Sequence, residues 1–331
     1  MITRRTFAGA EEFAAMLSEV SGDVVQYGKS LVPPEDRHWK EWSCTAAPLS
    51  CGAIMHFTSA GPIAGTGTTD ADKVVLLMPW MHKVPHFYRG VEMSRHGAAL
   101  YGPGAAHVGK CDTDHAFTVF LIQGERLRDY LHRVVGPEAG PVVGSFSPVN
   151  LPAALRDELE SIVNEVVGMA GDADAPFSRE SVRLGYEDRI MTVIAEMFSL
   201  GADRRLGEMP RHEMSTKLVN ACWNLARQEQ DRNLTMEDLC VETKASERVL
   251  RCAFQEMTGH SPALFLRNHR LHKARRMLLD EASSVKEAAY SCGFTEMGRF
   301  SGYYKKLFGE NPSETLAGRT NRVAAAHAGK S

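Results

Sequence analysis

The last third of the chain contains the same two-helix unit twice, and this duplication constrains the fold more than any other feature. The first copy runs from Thr235 to Gly259 and the second from Ser284 to Gly309. Each pattern predicts a short helix, a tight connection and a second, capped helix whose outer face carries long polar side chains. Two such units, joined by one further helix, predict an all-α tandem helix-turn-helix module over residues 212–317.

The first unit carries clear start and stop signals. Thr235 is expected to cap a helix that runs through Leu239, and Ser246 is expected to cap a second helix that ends before Gly259. The outer stripe of this second helix holds Glu247, Arg248, Arg251 and Gln255. Arg pairs with guanine and Gln with adenine in the major groove, which makes these residues candidate base readers. The alternative is a solvated helix face with ordinary charges.

A connecting helix is predicted to begin at Ser261-Pro262 and to end near Leu279. Its nineteen residues, at about 1.5 Å each, span about 28 Å, close to the roughly 34 Å of one DNA turn. Its basic residues are Arg267, Arg270, Lys273, Arg275 and Arg276. Phosphate contacts are expected from Arg270 and Lys273, although ion pairing within the fold fits any single one equally well.

The second unit begins with a capping box, Ser284 to Glu287, and its first helix is expected to end at Gly293. Thr295 is then expected to cap the outer helix. The outer stripe of that helix holds Gly298, Arg299, Gly302 and Lys306. Glycine inside a helix costs about 1 kcal/mol relative to alanine. The hypothesis is that the glycines let the backbone approach a DNA groove and leave Arg299 as the main reader; the alternative is a weak DNA contact.

Composition and charge agree with a chain of about two domains. At 331 residues, with 44% hydrophobic and 24% charged residues, the sequence excludes a disordered or fibrous protein. The net charge is −3, but residues 211–331 hold 19 basic against 14 acidic residues, and the remainder holds 19 against 27. Seven cysteines without a CxxC pair are expected to stay reduced thiols. With no secretion signal or membrane span, a cytoplasmic, nucleoid-associated protein is expected.

Residues 1–150 follow a different pattern. An amphipathic helix and a short extended stretch are expected up to about residue 28. Short β-prone runs separated by Gly/Pro-rich turns then predict a small β-barrel or sandwich; these runs are Ala53–Thr58, Val74–Met78, Ala98–Tyr101 and Phe117–Ile122. Residues 151–205 predict a helical dimerisation or linker segment with two helices, Pro152–Met169 and Ser178–Leu200. A disordered tail is expected over 318–331.

The stretch from Leu234 to Leu316 resembles the AraC family of bacterial transcription regulators. The matching residues are Ser246, Leu250, Phe254, Gly259, Ser261-Pro262, Arg270-Leu271, Ala274, Gly293-Phe294, Arg299-Phe300, Phe308-Gly309 and Pro312-Ser313-Glu314. Cys252 stands where the family usually has a basic residue, and Gly302 where it often has a reader. The resemblance implies an α+β multidomain fold, in which a cupin-like N-terminal β-barrel with a helical pair binds an effector or mediates dimerisation.

Four residues are candidates for a ligand cavity in the N-terminal part, namely Trp80, His82, His86 and Tyr88. Core or edge positions are the alternative for each of them. The four-residue spacing of His82 and His86 is one that metal ligands can adopt, together with His56, His96, His107 and His115. The alternative is a set of scattered histidines in a barrel. The clustered His-x-His with a nearby Glu of a metal-binding cupin is absent from the sequence, however. No metal and no cofactor are therefore predicted.

These observations favour a sequence-specific DNA-binding regulator rather than an enzyme, with an activator preferred over a repressor. The expected partners are double-stranded DNA, RNA polymerase, a small-molecule effector and a second copy of the chain. One alternative is a cupin-type enzyme fused to a DNA-binding module. Another is a non-specific nucleoid protein, whose DNA affinity would not depend on sequence.

Overall fold

The computed structural model places antiparallel sheets in the N-terminal part of the chain and helices in the C-terminal part. It describes residues 2–9, 12–13, 16, 24–26, 38, 40–80, 86–88, 91–111, 113–137, 147–172, 174–199, 210–280 and 284–318. In this part of the chain, no helix is long and apolar enough to cross a membrane.

The strands form two sheets in which every pairing is antiparallel. In chain order they are β1 Thr3–Phe7, β2 Val24–Gln26, β3 Trp42–Pro48, β4 Gly52–Ser59, β5 Ile63–Thr68, β6 Lys73–Trp80, β7 Phe87–Tyr88, β8 Val91–Glu92, β9 Gly97–Tyr101, β10 Ala106–Cys111, β11 His115–Gln123 and β12 Ser147–Asn150. The larger sheet has the order β1-β3-β4-β11-β6-β9-β12, and the smaller has the order β2-β5-β10-β7-β8. The four predicted β runs lie inside β4, β6, β9 and β11, which confirms them.

Neither sheet closes into a barrel within the described residues. A barrel requires the first and last strands to pair, whereas β1 and β12 are opposite edges of the larger sheet and β2 and β8 are opposite edges of the smaller one. The N-terminal sheet architecture implied by the family resemblance is observed, and its closed cupin-like barrel is not confirmed.

The start of the chain differs from its predicted helix. Residues Thr3–Phe7 form β1, which pairs with Trp42–Pro48 in register from Thr3 opposite Ala46 to Phe7 opposite Trp42. Thr and Phe favour strands, and pairing with a neighbouring strand overrides a weak helical periodicity. Residues 12, 13 and 16 are helical, and Phe13 is fully buried. The predicted helix is therefore wrong over Thr3–Phe7.

Three helices cover the larger sheet and complete its core. They are α1 Gly124–Val134, α2 Ala153–Gly168 and α3 Glu180–Ser199. The two helices predicted for residues 151–205 are confirmed as α2 and α3, and the predicted apolar stripe of α2 is buried at Leu155, Leu159, Ile162, Val163 and Val166. Helix α1 was not predicted from the sequence. It follows β11 directly, and its N-cap residue, Gln123, makes no side-chain capping bond that a sequence pattern would show.

The C-terminal part consists of helices grouped around two separate cores. They are α4 Pro210–Gln228, α5 Met236–Thr243, α6 Glu247–Thr258, α7 Pro262–Asp280, α8 Val285–Ser291 and α9 Met297–Phe308, followed by a helical segment over 312–318. Helix α5 is four residues longer than predicted. One core lies among α4, α5, α6 and the first part of α7, which contributes Phe265 and Leu266. The other lies among the rest of α7, α8 and α9. Residues 201–209 and the predicted tail beyond residue 318 lie outside the described residues.

Candidate DNA-binding surface

Helix α6 separates a buried stripe from an exposed polar stripe. Ser246 Oγ accepts a hydrogen bond from the Val249 amide at 3.4 Å, and Gly259 ends the helix with a φ of 69°. The apolar buried side chains are Leu250, Ala253, Phe254 and Met257. The exposed stripe contains the predicted readers Glu247, Arg248, Arg251 and Gln255. All four predicted readers therefore lie on one exposed face, and their contacts with DNA remain predictions.

Helix α9 has the same division of faces but a different start from the one predicted. Thr295 does not cap it: the N-cap residue is Glu296, which makes no side-chain capping bond. The carboxylate of Glu296 instead pairs with Arg299, with 3.1 Å between Oε2 and Nε. The buried side chains are Phe300, Tyr304 and Leu307. The exposed residues include Gly298, Arg299, Gly302 and Lys306.

Each of these two outer helices carries an ion pair between its candidate arginine reader and an acidic residue near its start. In α6, Arg251 Nη2 lies 2.5 Å from Glu247 Oε1. The Arg299–Glu296 pair is the counterpart in α9. Exposed ion pairs of this kind contribute about 0–1 kcal/mol. The pairs therefore hold each arginine along its own helix at a small gain in free energy.

The two glycines of α9 have no explanation in the packing of the protein itself. A Cβ built on Gly298 or on Gly302 meets no heavy atom within 4 Å. Neither residue has a positive φ. Alanine would therefore fit at both positions and favour the helix by about 1 kcal/mol each. This observation supports a requirement from outside the fold, such as close approach of a DNA backbone.

The basic residues of α7 are held by contacts within the helical part. Three arginines stack over aromatic rings of the second unit: Arg267 over Tyr303 at 4.0 Å, Arg270 over Phe294 at 5.2 Å and Arg275 over Phe308 at 4.6 Å. The Lys273 ammonium bonds to Asn233 and to the Ser291 carbonyl. Arg270 and Lys273 are half-buried. Both therefore have structural partners, and their predicted phosphate contacts remain predictions.

The four predicted ligand-binding residues have different surroundings. Trp80, at the end of β6, is half-buried, and its Nε1 donates a hydrogen bond to Thr118 Oγ1 at 2.8 Å. His86 and Tyr88 are buried beside the smaller sheet. His82 lies outside the described residues. Across the part of the chain that is described, no group of three or more His, Cys, Asp or Glu is placed to hold a metal ion.

His86 and a second buried histidine, His115, lie next to each other. The rings of His86 and His115 are 5.0 Å apart and nearly perpendicular. Burial lowers the pKa of His115 to about 4. Burial, His115 and Arg156 together lower the pKa of His86 well below its ordinary value. Both imidazoles are therefore neutral near pH 7. The sequence did not predict the burial of His115 beside His86, because this burial depends on the pairing of β11 with distant strands.

The smaller sheet contacts the first helix-turn-helix unit through β10. Val108 is 2% exposed and belongs to the core that α4, α5 and α6 build, together with Leu218 and Trp223. Lys110 Nζ lies 3.2 Å from the position that a Cβ on Gly259 would occupy, at the C-terminal end of α6. No local sequence pattern predicts this contact, since Val108 lies outside the four predicted β runs and its partners are far away in sequence. It provides a physical connection between the sheets and a candidate recognition helix.

Comparisons with known proteins support the assignment of a helix-turn-helix domain to this part of the chain. Residues 239–318 match a family model described as a helix-turn-helix domain. The XylDLEGF operon transcriptional activator of Pseudomonas putida is 28% identical over 172 residues, which cover 50% of this chain and 51% of that protein. The probable thc operon regulatory protein of Rhodococcus erythropolis is 42% identical over 86 residues, covering 25% of this chain and 26% of that protein. The chain thus covers about half, or less, of the length of these two relatives.

Among solved structures, a probable AraC family transcriptional regulator from Rhodopseudomonas palustris is 36% identical over 31% of this chain and 97% of that chain, with a TM-score of 0.29. That protein is matched by sequence over nearly its whole length. Its match falls on a part of this chain about as long as the helix-turn-helix domain. Because of this identity and of the domain match over residues 239–318, the chain belongs to the AraC family.

Proposed function

We propose that the chain is a sequence-specific DNA-binding transcription regulator that acts as an activator. The observation that carries the proposal is the pair of exposed polar helix faces, on α6 and α9, joined by the nineteen-residue helix α7. At about 1.5 Å per residue, α7 is about 28 Å long, which suits two recognition helices in successive major grooves. The relatives that are named as transcriptional activators favour activation over repression.

The two recognition helices have different tasks in this proposal. Helix α6 specifies the sequence, with Arg248, Arg251 and Gln255 directed at base edges. Helix α9 acts mainly as an anchor, through Arg299 and Lys306, because two of its outward positions are glycines. This division predicts that most of the base preference falls in one half of the DNA site.

The sheets modulate DNA binding through their contact with the first unit. Support comes from Val108, which completes the core beneath α6, and from Lys110, which lies at the C-terminal end of that helix. A change in β10 would therefore alter the support of the specifying helix. An effector bound beside Trp80, His86 and Tyr88 could produce such a change, since β7 pairs with β10 in the smaller sheet. A second copy of the chain and RNA polymerase are the further proposed partners.

Selection of bound sequences from a random DNA pool tests the proposed function. We expect one enriched site of about two helical turns, bound at least about 10³-fold more tightly than scrambled DNA. Equal affinity for all sequences would indicate a non-specific nucleoid protein and contradict the proposal.

Metal analysis of the purified protein tests the alternative of a cupin-type enzyme. The relatives that are named as regulators favour regulation over this alternative.

Val108→Asp tests the regulatory contact. A carboxylate at this buried position would be desolvated without a designed partner, so the sheet should separate from the first unit. We expect faster amide hydrogen exchange in α4 and α6 and little change in α9. Val134→Asp is the matched control, because Val134 is 59% exposed on α1. Unchanged exchange in α6 of the Val108→Asp protein would show that the contact does not support the helix.

A further inference from the structure

A small polar junction directly joins the two helix-turn-helix units. Asn233, in the loop before α5, donates a hydrogen bond from Nδ2 to the Ser291 carbonyl at 3.0 Å. Lys273, on the connecting helix, donates from Nζ to Asn233 Oδ1 at 3.2 Å and to the same Ser291 carbonyl at 3.5 Å. The loop that leads into the first unit, the connecting helix and the second unit are thus bonded to one another through Asn233, Lys273 and Ser291.

Further bonds fix the loop of the first unit on the connecting helix. Arg276 Nη2 donates to the Gln230 carbonyl at 2.7 Å. His269 Nε2 lies 3.1 Å from the Arg232 carbonyl. The loop over 230–233 is therefore attached to α7 at three places along one face, and through Asn233 it also bonds to the second unit. Asn233 thus bonds the loop directly to the second unit, and Lys273 bonds to both Asn233 and the same carbonyl.

The second unit offers a suitable acceptor at this point. Ser291 is the last residue of α8, and the carbonyls at the C-terminal end of a helix lack partners within it and carry partial negative charge. Gly293 then reverses the chain with a φ of 74°, and a Cβ there would lie 3.7 Å from Asn233 Nδ2 and 3.6 Å from Arg270 Nη1. The chain reversal thus presents the end of α8 to the amide of Asn233 and to the ammonium of Lys273.

We infer that Asn233 and Lys273 are positioning residues that set the spacing between the two recognition helices. In this role Lys273 acts within the protein rather than on DNA phosphate. A single exposed bond would be weak, but the shared acceptor couples three elements and restricts the rotation of one unit against the other. The inference rests on the proposed function for its use in DNA recognition, whereas the rigidity itself is a property of the protein without DNA.

The first experiment measures that rigidity without DNA. Cys252 is exposed on α6, five further cysteines are buried, and Cys240 is partly exposed, so Cys240→Ser leaves Cys252 for labelling. With Lys306→Cys added on α9, a spin label on each recognition helix reports their separation in the full chain. We expect one narrow distance distribution, broadened by Asn233→Ala and by Lys273→Met. Unchanged widths in both variants would overturn the inference.

Two further variants test whether the broadening comes from the junction itself, from the loss of a lysine charge or from a loosened fold. Lys286→Met removes an exposed lysine of α8, in the second unit, and should leave the distribution narrow. Asn233→Asp keeps an acceptor for Lys273 but loses the donor to the Ser291 carbonyl, so it should broaden the distribution while the fold is preserved. Broadening by Lys286→Met as well would show a general loosening of the domain and would contradict a specific role for the junction.

The second experiment uses DNA, after the preferred site has been selected. One base pair inserted between the two half-sites shifts the second groove by about 3.4 Å and about 35°. The wild-type affinity should fall at least about tenfold on the shifted site, and Asn233→Ala should reduce this penalty. A phosphate role for Lys273 predicts equal weakening on both sites in Lys273→Met. If no sequence is enriched, the proposed function fails, and the distance measurement still decides the junction.

Discussion

Arg251 donates two hydrogen bonds to one carboxylate oxygen of Glu247, one turn earlier on the same helix. The Nε atom lies 3.0 Å and the Nη2 atom 2.5 Å from Oε1. Both side chains remain at least half exposed. This geometry holds the guanidinium along the outer face of α6 before any DNA is bound. A reader held in this way loses less conformational freedom on binding than a free arginine would.

Arg251→Ala should weaken binding to the preferred site by about 1–3 kcal/mol and relax the preference at one base position. The reason is the loss of a paired hydrogen bond to a base edge rather than the loss of charge alone. Affinity for the preferred site and for its single-base variants measures both effects. Arg128→Ala, at an exposed arginine on α1, is the control. If binding weakens equally on every sequence, Arg251 is a phosphate contact.

The variant Glu247→Gln distinguishes two effects of Glu247, namely the orientation of Arg251 and the repulsion of DNA phosphate. The substitution removes a negative charge near the DNA, so affinity for scrambled DNA should rise. Arg251 loses its charged partner, and discrimination between the preferred site and scrambled DNA should fall by up to about fivefold, the value of an exposed ion pair. Glu237→Gln, at an exposed position in the first turn of α5, serves for comparison. An equal rise on both DNAs would mean that Glu247 only repels.

Gly302→Ala should stabilise the protein and weaken its DNA binding at the same time. Alanine meets no heavy atom within 4 Å at this position, so the helix should gain about 1 kcal/mol. The added methyl group faces outward and would hold the backbone of α9 away from the groove. Thermal unfolding and DNA affinity measure the two effects. Gly185→Ala in α3 has equally open surroundings and should stabilise without a change in affinity; unaltered DNA binding by Gly302→Ala would contradict the close approach.

Much of the helical part could be predicted, because its signals are local. The caps at Thr235 and Ser246 and the proline at the start of α7 each act within a few residues of chain. Reliance on local signals also explains why the predicted cap at Thr295 is wrong. The sequence pattern for a cap is satisfied there, but the helix begins one residue later, where Glu296 pairs with Arg299.

The sheets and the contacts between units could be predicted less well, because they depend on residues far apart in sequence. The strand at Thr3–Phe7 exists through its pairing with Trp42–Pro48, and the buried position of His115 depends on β11 lying between β4 and β6. Asn233 reads as a loop residue, and its bond to Ser291 spans 58 positions. Periodicity detects faces of single elements and carries no information about such partners.

The stability of the sheets should fall in mild acid because of His115. An unfolded histidine titrates near pH 6.5, whereas burial lowers the pKa of His115 to about 4. Between these values the unfolded chain binds a proton that the folded chain excludes, so lowering the pH favours unfolding. The loss should begin below about pH 6.5 and continue towards pH 4. His86, whose pKa is also lowered, acts in the same direction.

His115→Phe measures this contribution. The substituted ring can still stack on Phe117, which lies 5.8 Å from the imidazole, but it cannot take up a proton and loses the bond to the Thr113 carbonyl. We expect lower stability at pH 7.5 and a shallower fall in melting temperature between pH 7 and pH 5 than in the wild type. His132→Phe, at an exposed position on α1, should leave the wild-type slope unchanged. An unaltered slope in His115→Phe would assign the acid sensitivity to other groups.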